Sequence, residues 1–398
     1  MRMGTRDLWR TSKTRGAVIV VTILLGSSCL STTAATSAAP KGIAAPAAAR
    51  AAQTITSSRA TSTTSTSMST MGTNATYVAM GDSYSSGQGL AARASQYIAP
   101  SGSDGCHRAT DAYPEIVARE LGQAEPASGW FVACSGTTAG ALLRGQDGEL
   151  PQTDALTPST SEISLTTGGN NVGFASTAEA CIKVRAQLGH LSVVSPYIKK
   201  LGNCASDEKR AADIVSGGAA TSTLGEALTK TYATILSDAP NARLAVLTYP
   251  QLLTTTNIPS FCPLTRGVDV GSANVTLGFS KSDVVTIDRL ESATNEVIMN
   301  VVDQLGAEPI YAGRIAVTNM TPLTLAHAQP CDLKTMNASY LNGIQLTPGH
   351  EISQFIACKR EATVSCNGLV ADDTLHPTAK GHRVMAEAVI ATFGQSSW

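Results

Sequence analysis

Apolar runs of four or five residues alternate along this chain with longer stretches whose apolar positions recur at helical spacing. Thr76-Tyr77-Val78-Ala79-Met80 is the first run, rich in β-formers, and it opens into the Gly- and Ser-rich turn Gly81-Asp82-Ser83-Tyr84-Ser85-Ser86-Gly87-Gln88-Gly89. After a loop through Ser101 to Arg108, Tyr113-Pro114-Glu115 carries a helix start, with Ile116, Val117 and Leu121 on one side. Trp130-Phe131-Val132-Ala133 predicts a second strand ending in Cys134-Ser135-Gly136-Thr137, and Ile163-Ser164-Leu165-Thr166 a third ending in Gly168-Gly169-Asn170-Asn171. The stretch from Cys181 to about Leu224 reads as helical and cysteine-bearing, an insertion over one face. Leu244 to Leu247 is the fourth strand and Ile315 to Val317 the fifth. Between them, Val284, Ile287, Leu290, Val297, Val301 and Leu305 mark a core-facing helix over Ser282 to Leu305, and Thr378 to Phe393 closes the chain as a helix. Short apolar strands alternating with helices predict an α/β fold: a three-layer α/β/α sandwich around a central, mostly parallel five-stranded sheet, with loop insertions.

Ligands of such sheets bind beyond the carboxyl ends of the strands. Three of the predicted ends carry Ser83, Gly136 and Asn170. A serine hydroxyl is a weak nucleophile that needs a base within hydrogen-bond reach and donors aimed at the oxyanion it generates. Gly-Asp-Ser alone is ordinary turn chemistry. The convergence at three strand ends is what points to a site.

The first 75 residues stand apart. Arg2, Arg6, Arg10, Lys13 and Arg15 precede the short apolar run Ala17 to Leu25, and Ala-rich cleavage sites follow between Ser31 and Ala39. The run is shorter than the roughly 20 residues that span a bilayer. Residues 1–39 therefore read as a secretory signal, and 40–75, nearly all Ala, Ser and Thr, as a disordered pro-segment or linker. Residues 76–398 suit one large catalytic domain. Eight of the 29 basic residues and one of the 30 acidic residues precede Thr76, which leaves the remainder with 21 basic and 29 acidic side chains. An acidic body argues against nucleic acid as a partner.

Apart from Cys29, the cysteines are Cys106, Cys134, Cys181, Cys204, Cys262, Cys331, Cys358 and Cys366. An even set on a secreted chain reads as disulfides. Pairing between sequence neighbours is the expectation adopted, Cys106–Cys134, Cys181–Cys204, Cys262–Cys331 and Cys358–Cys366, although about 105 connectivities exist and sequence does not choose among them. No C-x-x-C occurs and the six histidines are scattered, so no metal or other cofactor is expected.

The blocks GDSYSSGQG, Cys134-Ser135-Gly136, Gly168-Gly169-Asn170-Asn171 and Asp373-Thr374-Leu375-His376-Pro377 resemble, in order, the four sequence blocks of the SGNH (GDSL) hydrolases, closest to the secreted lipase and esterase branch of actinobacteria. Leu247-Thr248-Tyr249-Pro250 and Ala326 to Cys331 also resemble that branch, and the likeness runs from Tyr77 to Phe393. The resemblance implies a flavodoxin-like sheet. It also implies Ser83 as nucleophile and His376 as base, with an oxyanion hole made by the Ser83 and Gly136 N–H groups and the Asn170 amide. Asp373 would orient the imidazole, although neighbouring Asp372 could serve, and some members use a backbone carbonyl. The chemistry is coherent, because histidine titrates near neutrality and a carboxylate favours the imidazolium that forms. One departure is Asn171, where the family usually has Asp.

The implied function is a secreted serine ester hydrolase, a lipase or esterase that acts on lipid or small acyl esters as a monomer, with transient contact to lipid surfaces. Phospholipase and carbohydrate acetylesterase are the alternatives. The Gly87 to Gly89 turn, the Cys106 loop and the Cys181 to Cys204 insertion are expected to shape the acyl pocket. A non-catalytic secreted binding protein is the alternative of another class, favoured only by Asn171. Gly87-Gln88-Gly89-Leu90-Ala91-Ala92 fits a dinucleotide pattern but begins several residues after its strand, and no G-x-S-x-G elbow occurs.

Overall fold

The computed structural model describes residues 77–90, 105–123, 129–146, 148–196, 204–270, 273–324, 327–332, 334–345 and 373–395. The signal and linker segments, Asp372, Cys358 and Cys366 lie outside them. Contacts separate Met1–Thr66 from Ser67–Trp398, and only the second unit contains described residues.

The described strands are β1 (Tyr77–Gly81), β2 (Glu162–Thr166), β3 (Lys183–Leu188), β4 (Leu191–Pro196), β5 (Arg243–Leu247), β6 (Phe261–Pro263), β7 (Val268–Val270), β8 (Ala273–Ser280) and β9 (Ile315–Thr318). The helices used below are α1 (Ser83–Ser86), α2 (Tyr113–Glu120), α3 (Ala139–Leu142), α4 (Gly169–Val172), α5 (Phe174–Cys181), α6 (Cys204–Val215), α7 (Gly218–Thr221), α8 (Thr223–Asp238), α9 (Lys281–Gly306), α10 (Thr321–Thr324) and α11 (Ala379–Phe393).

Four strands form the central parallel sheet in the order β1-β2-β5-β9. Successive side chains of a strand face opposite ways, so each central strand serves two cores. Val78, Met80, Ile163, Leu165, Leu244 and Val246 pack with Leu228, Tyr232 and Ile235 of α8 and Val297, Ile298 and Val301 of α9. Tyr77, Ala79, Ala245 and Leu247 face the other way, onto Tyr113 and Val117 of α2 and Met385, Val389 and Phe393 of α11. These are the three expected layers. Ser280 caps α9 in a reciprocal capping box with Asp283, which sets its start one residue before the predicted Ser282.

The expected sheet of five strands is corrected to four. Trp130 to Ala133 makes a single parallel bridge, Phe131 to Ala79. The Val132 and Ala133 N–H groups both donate to the Ala79 carbonyl, at 2.9 and 3.2 Å, so the spacing of a ladder is lost. The segment still lies on the far side of β1 and delivers Cys134, whose N–H donates to the Gly81 carbonyl at 2.9 Å.

The Cys181 to Leu224 stretch is likewise not uniformly helical. Its first part is the β3–β4 hairpin, which joins β8, β6 and β7 in a separate antiparallel sheet. Alternation is present there: Val184, Ala186 and Leu188 interleave with Lys183, Arg185 and Gln187. This sheet has its own core, in which Val184, Val275, Leu277 and Phe279 meet Ala178 and Ile182 beside Val284 and Ile287 at the start of α9.

Disulfides join Cys106 to Cys134, Cys181 to Cys204 and Cys262 to Cys331, with sequence separations of 28, 23 and 69. Each closes a loop that the unfolded chain would otherwise leave free, a constraint of about 2 to 4 kcal/mol per bridge. Reduction with dithiothreitol is expected to lower the melting temperature markedly, as read by differential scanning fluorimetry with and without reductant; an unchanged melting temperature in protein shown to be reduced would contradict this.

Candidate active site

Three consecutive strands of the central sheet end on one carboxylate. Asp82, immediately after β1, is buried and caps α1 by accepting from the Tyr84 N–H at 3.0 Å. Thr166, the last residue of β2, donates its hydroxyl to the same oxygen at 2.7 Å, and Tyr249, just past β5, donates its hydroxyl to the other. Burial raises the Asp82 carboxyl to about 6, against hydrogen bonds that favour its ionised form. Gly81 precedes it at φ 124°, where an added Cβ would stand 2.3 Å from the Thr166 carbonyl oxygen, so the approach of β1 to β2 here requires glycine. The buried Gln152 amide braces that glycine from outside, accepting from its N–H at 2.7 Å and donating to its carbonyl at 2.8 Å.

Ser83 is the first residue of α1 and points its hydroxyl at His376 Nε2, 2.8 Å away. His376 sits in the turn before α11, and its Nδ1 lies 3.1 Å from the Thr374 carbonyl. A carbonyl only accepts, so Nδ1 carries the proton and Nε2 offers its lone pair to Ser83. Tyr84 supports the ring, with centroids 5.0 Å apart, and its hydroxyl donates to the Leu375 carbonyl at 2.9 Å.

The loops after the strands supply donors. Among the described residues the Ser83 and Gly136 N–H groups donate to no protein acceptor. Asn170 uses one amide proton on the Thr137 carbonyl at 3.1 Å, which ties its loop to the Gly136 segment and leaves the second proton for a ligand. Tyr249 accepts from the Gly169 N–H at 2.8 Å, so the hydroxyl that donates to Asp82 also holds the residue before Asn170. A Cβ on Gly169 would come within 3.0 Å of the Tyr249 ring. Asn295 of α9 fixes the Tyr249 backbone, accepting from its N–H at 2.8 Å and donating to its carbonyl at 2.9 Å.

Ser83, Asn170 and His376 line one pocket, whose empty space counted out to open solvent is about 920 Å³. Its walls are Phe174 and Ala178 of α5, Ile182, Leu252 and Phe279. Glu291 of α9 also lines it, accepting from the Leu252 N–H at 2.9 Å; burial pushes its carboxyl up to about 8, so it is largely neutral near pH 7.

No protein-family model matches the chain. Over 175 residues it is 35% identical to Lipase 1 of Streptomyces coelicolor, a match covering 44% of this chain and 52% of that one, so the chain spans about half the length of this curated relative. Over 323 residues it is 26% identical to Lipase 2 of the same organism, covering 80% of this chain and 85% of that one. The crystal structure of phospholipase A1 from Streptomyces albidoflavus NA297 superimposes with a TM-score of 0.51 at 26% identity, over 79% of this chain and 98% of that one. These likenesses support the resemblance to the SGNH hydrolase family. Both the sequence likeness and the shared architecture lie in its actinobacterial lipase branch.

Ser83, Asn170 and His376 are brought to one pocket, and Gly136 is tied to it through the Thr137 to Asn170 bond. Asp373 lies in the His376 turn, its carbonyl accepting from the His376 N–H at 3.2 Å, and the Thr374 carbonyl lies at Nδ1. Asn171 accepts from the Ala139 N–H at the start of α3 at 2.9 Å, a task its amide oxygen performs as a carboxylate oxygen would. Among the described residues, neither the Gly87 to Gly89 turn nor the Cys106 loop lines the pocket; α5 and Ile182, where the insertion begins, do. His382 is buried beneath α2, accepting from the Tyr113 N–H at 3.2 Å, and burial holds it down to about 3. Cys181, Cys204, Glu208 and Asp283 place ligand atoms within 4.8 Å of one another, but the two sulfurs are bonded to each other and Lys183 Nζ lies 3.6 Å from Asp283.

Sequence reasoning missed Asp82, Tyr249 and Glu291. Their only signals were Asp beside the nucleophile, read as turn chemistry, and a tyrosine after a strand end. Tyr249→Phe removes the hydroxyl that joins Asp82 to Gly169. It is expected to lower kcat about tenfold or more with KM largely retained, because the lost bond holds the residue before Asn170, whose amide the resemblance places in an oxyanion hole. That hydroxyl favours ionised Asp82, so its loss raises the carboxyl further above 6, and the stability deficit of the variant should deepen as pH rises from 5 to 8. Chemical denaturation across that range checks the sign; a deficit that is constant or shrinks with pH would contradict it.

Proposed function

We propose that this protein is a secreted serine ester hydrolase that cleaves carboxylic esters through an acyl-enzyme on Ser83. The observation that carries the reading is the 2.8 Å contact of Ser83 Oγ with His376 Nε2 at an apolar pocket. Ser83 attacks the acyl carbonyl while His376 takes its proton; the imidazolium then donates that proton to the departing alcohol. Water, deprotonated by the same nitrogen, cleaves the acyl-enzyme and restores the serine. The Thr374 carbonyl holds the productive tautomer and faces the cation as it forms, with Asp373 adding negative charge in the same turn. The Ser83 and Gly136 N–H groups and the free Asn170 amide proton take the oxyanion, each worth about 3 to 4 kcal/mol.

Walls of Phe174, Ala178, Ile182, Leu252 and Phe279 favour acyl chains longer than acetyl, and so lipase or esterase over carbohydrate acetylesterase. Phospholipid esters are the second reading, supported by the likeness to the Streptomyces phospholipase A1. A signal-like leader and three disulfides support secretion.

Hydrolysis of p-nitrophenyl esters of increasing chain length tests the proposal. Ser83→Ala and His376→Ala are each expected to lower kcat by about 10⁴-fold or more with the fold retained, and the optimum to lie beyond acetate. Retained activity in either variant would contradict the serine mechanism, and an acetate optimum the pocket assignment.

A further inference from the structure

A buried carboxyl stands in the apolar wall of the pocket. Glu291 lines it from α9 at 3% exposure, alongside Leu252 and Phe279. Among the described residues no ion pair reaches Glu291, and the charge that acts on it, Asp288 one turn earlier on α9, repels a second negative charge. A carboxyl so placed keeps its proton near neutrality, in line with its rise to about 8. Glu179 of α5 also lines the pocket, but half-buried, where solvent reaches it.

The acid proton of Glu291 needs an acceptor, and its polar neighbours are donors. The Leu252 N–H donates to Oε2 at 2.9 Å, and the Asn295 amide nitrogen lies 3.5 Å from Oε1. The Asn295 amide oxygen is engaged by the Tyr249 N–H at 2.8 Å. None of the described hydrogen bonds takes the Glu291 proton. Three hydroxyl groups that line the same pocket are spent inside the protein: Tyr84 donates to the Leu375 carbonyl at 2.9 Å, Tyr249 to Asp82 and Thr294 to the Leu290 carbonyl at 2.8 Å. Glu291 thus presents an uncommitted donor among apolar walls. Before a ligand enters, solvent satisfies such a donor. An alkyl chain expels that water and leaves the donor unpaired, whereas an oxygen at the right depth of the chain restores the bond.

We propose, resting on the esterase reading, that Glu291 donates a hydrogen bond within the acyl pocket and so selects esters whose acyl chain carries an acceptor oxygen, an ether, ketone or hydroxyl, part-way along its length. A scan of p-nitrophenyl octanoate analogues tests this, each with one methylene beyond the third carbon replaced by an ether oxygen. The analogues share length and composition, so only the depth of the acceptor differs. One position is expected to exceed the others by about tenfold in kcat/KM, mainly through KM, as one hydrogen bond to a buried donor predicts. Glu291→Gln keeps a donor of the same shape and should keep that preference, whereas Glu291→Leu should abolish it. A general loss of stability lowers every analogue alike and leaves the ratio unchanged. The Ser83→Ala protein, which does not turn the esters over, should show the same preference in Kd for the corresponding methyl esters by isothermal titration calorimetry. No preferred position, or a preference that survives Glu291→Leu, overturns the assignment. Position-dependent binding by a protein that hydrolyses none of these esters would overturn the esterase reading and leave the donor standing, so the two failures are separable.

Discussion

The Asp82 carboxylate is the constraint on which the site depends. It accepts hydrogen bonds from groups at the ends of β2 and β5 and from the first turn of α1, so three strand ends share one carboxyl group. Burying a carboxyl is costly unless its oxygens are satisfied, and here hydroxyls and an N–H satisfy both. Because Ser83 follows Asp82, and Gly169 is held by the tyrosine that donates to Asp82, Ser83 and the Asn170 loop are fixed relative to the same atom pair. Raising that carboxyl to about 6 is the cost of the arrangement, and it places the site's polar order under the influence of mild acid.

The pocket lies where two cores meet. The parallel sheet supplies the reacting groups and the antiparallel sheet with α5 supplies apolar wall, while α9 runs past both and contributes Asn295 to the clamp on Tyr249 and Glu291 to the lining. The Cys181–Cys204 bridge pins the junction between α5 and α6. In the proposed reading, chemistry and acyl recognition fall to different parts of the chain, one built on strand ends and the other on an inserted sheet.

What the sequence made legible follows from what is chemically constrained. Ser83 and Asn170 follow strand ends, Gly136 follows a bridged segment beside β1 and His376 precedes α11, and each sits in a short block legible in the sequence because the strands are buried on both faces. Trp130 to Ala133 has the composition of a strand, yet its neighbours Gly129 and Cys134 and the bridge to Cys106 leave it one pair with β1. The β3–β4 hairpin was hidden because Ala, Gln and Leu suit a helix as well as a strand, and only the period-two alternation distinguished them. Tyr249 is marked only by its place after a strand end and Glu291 by nothing local: their meaning depends on packing against Asp82 and Leu252, contacts 167 and 39 residues away in sequence.

The most direct measurement is covalent trapping with a fluorophosphonate followed by peptide mass spectrometry. Phosphonylation requires an activated serine, and the 2.8 Å contact with His376 predicts a single adduct, on Ser83, formed stoichiometrically in the folded protein and lost in His376→Ala. An adduct on another residue, or a folded protein that takes no label, would contradict the account.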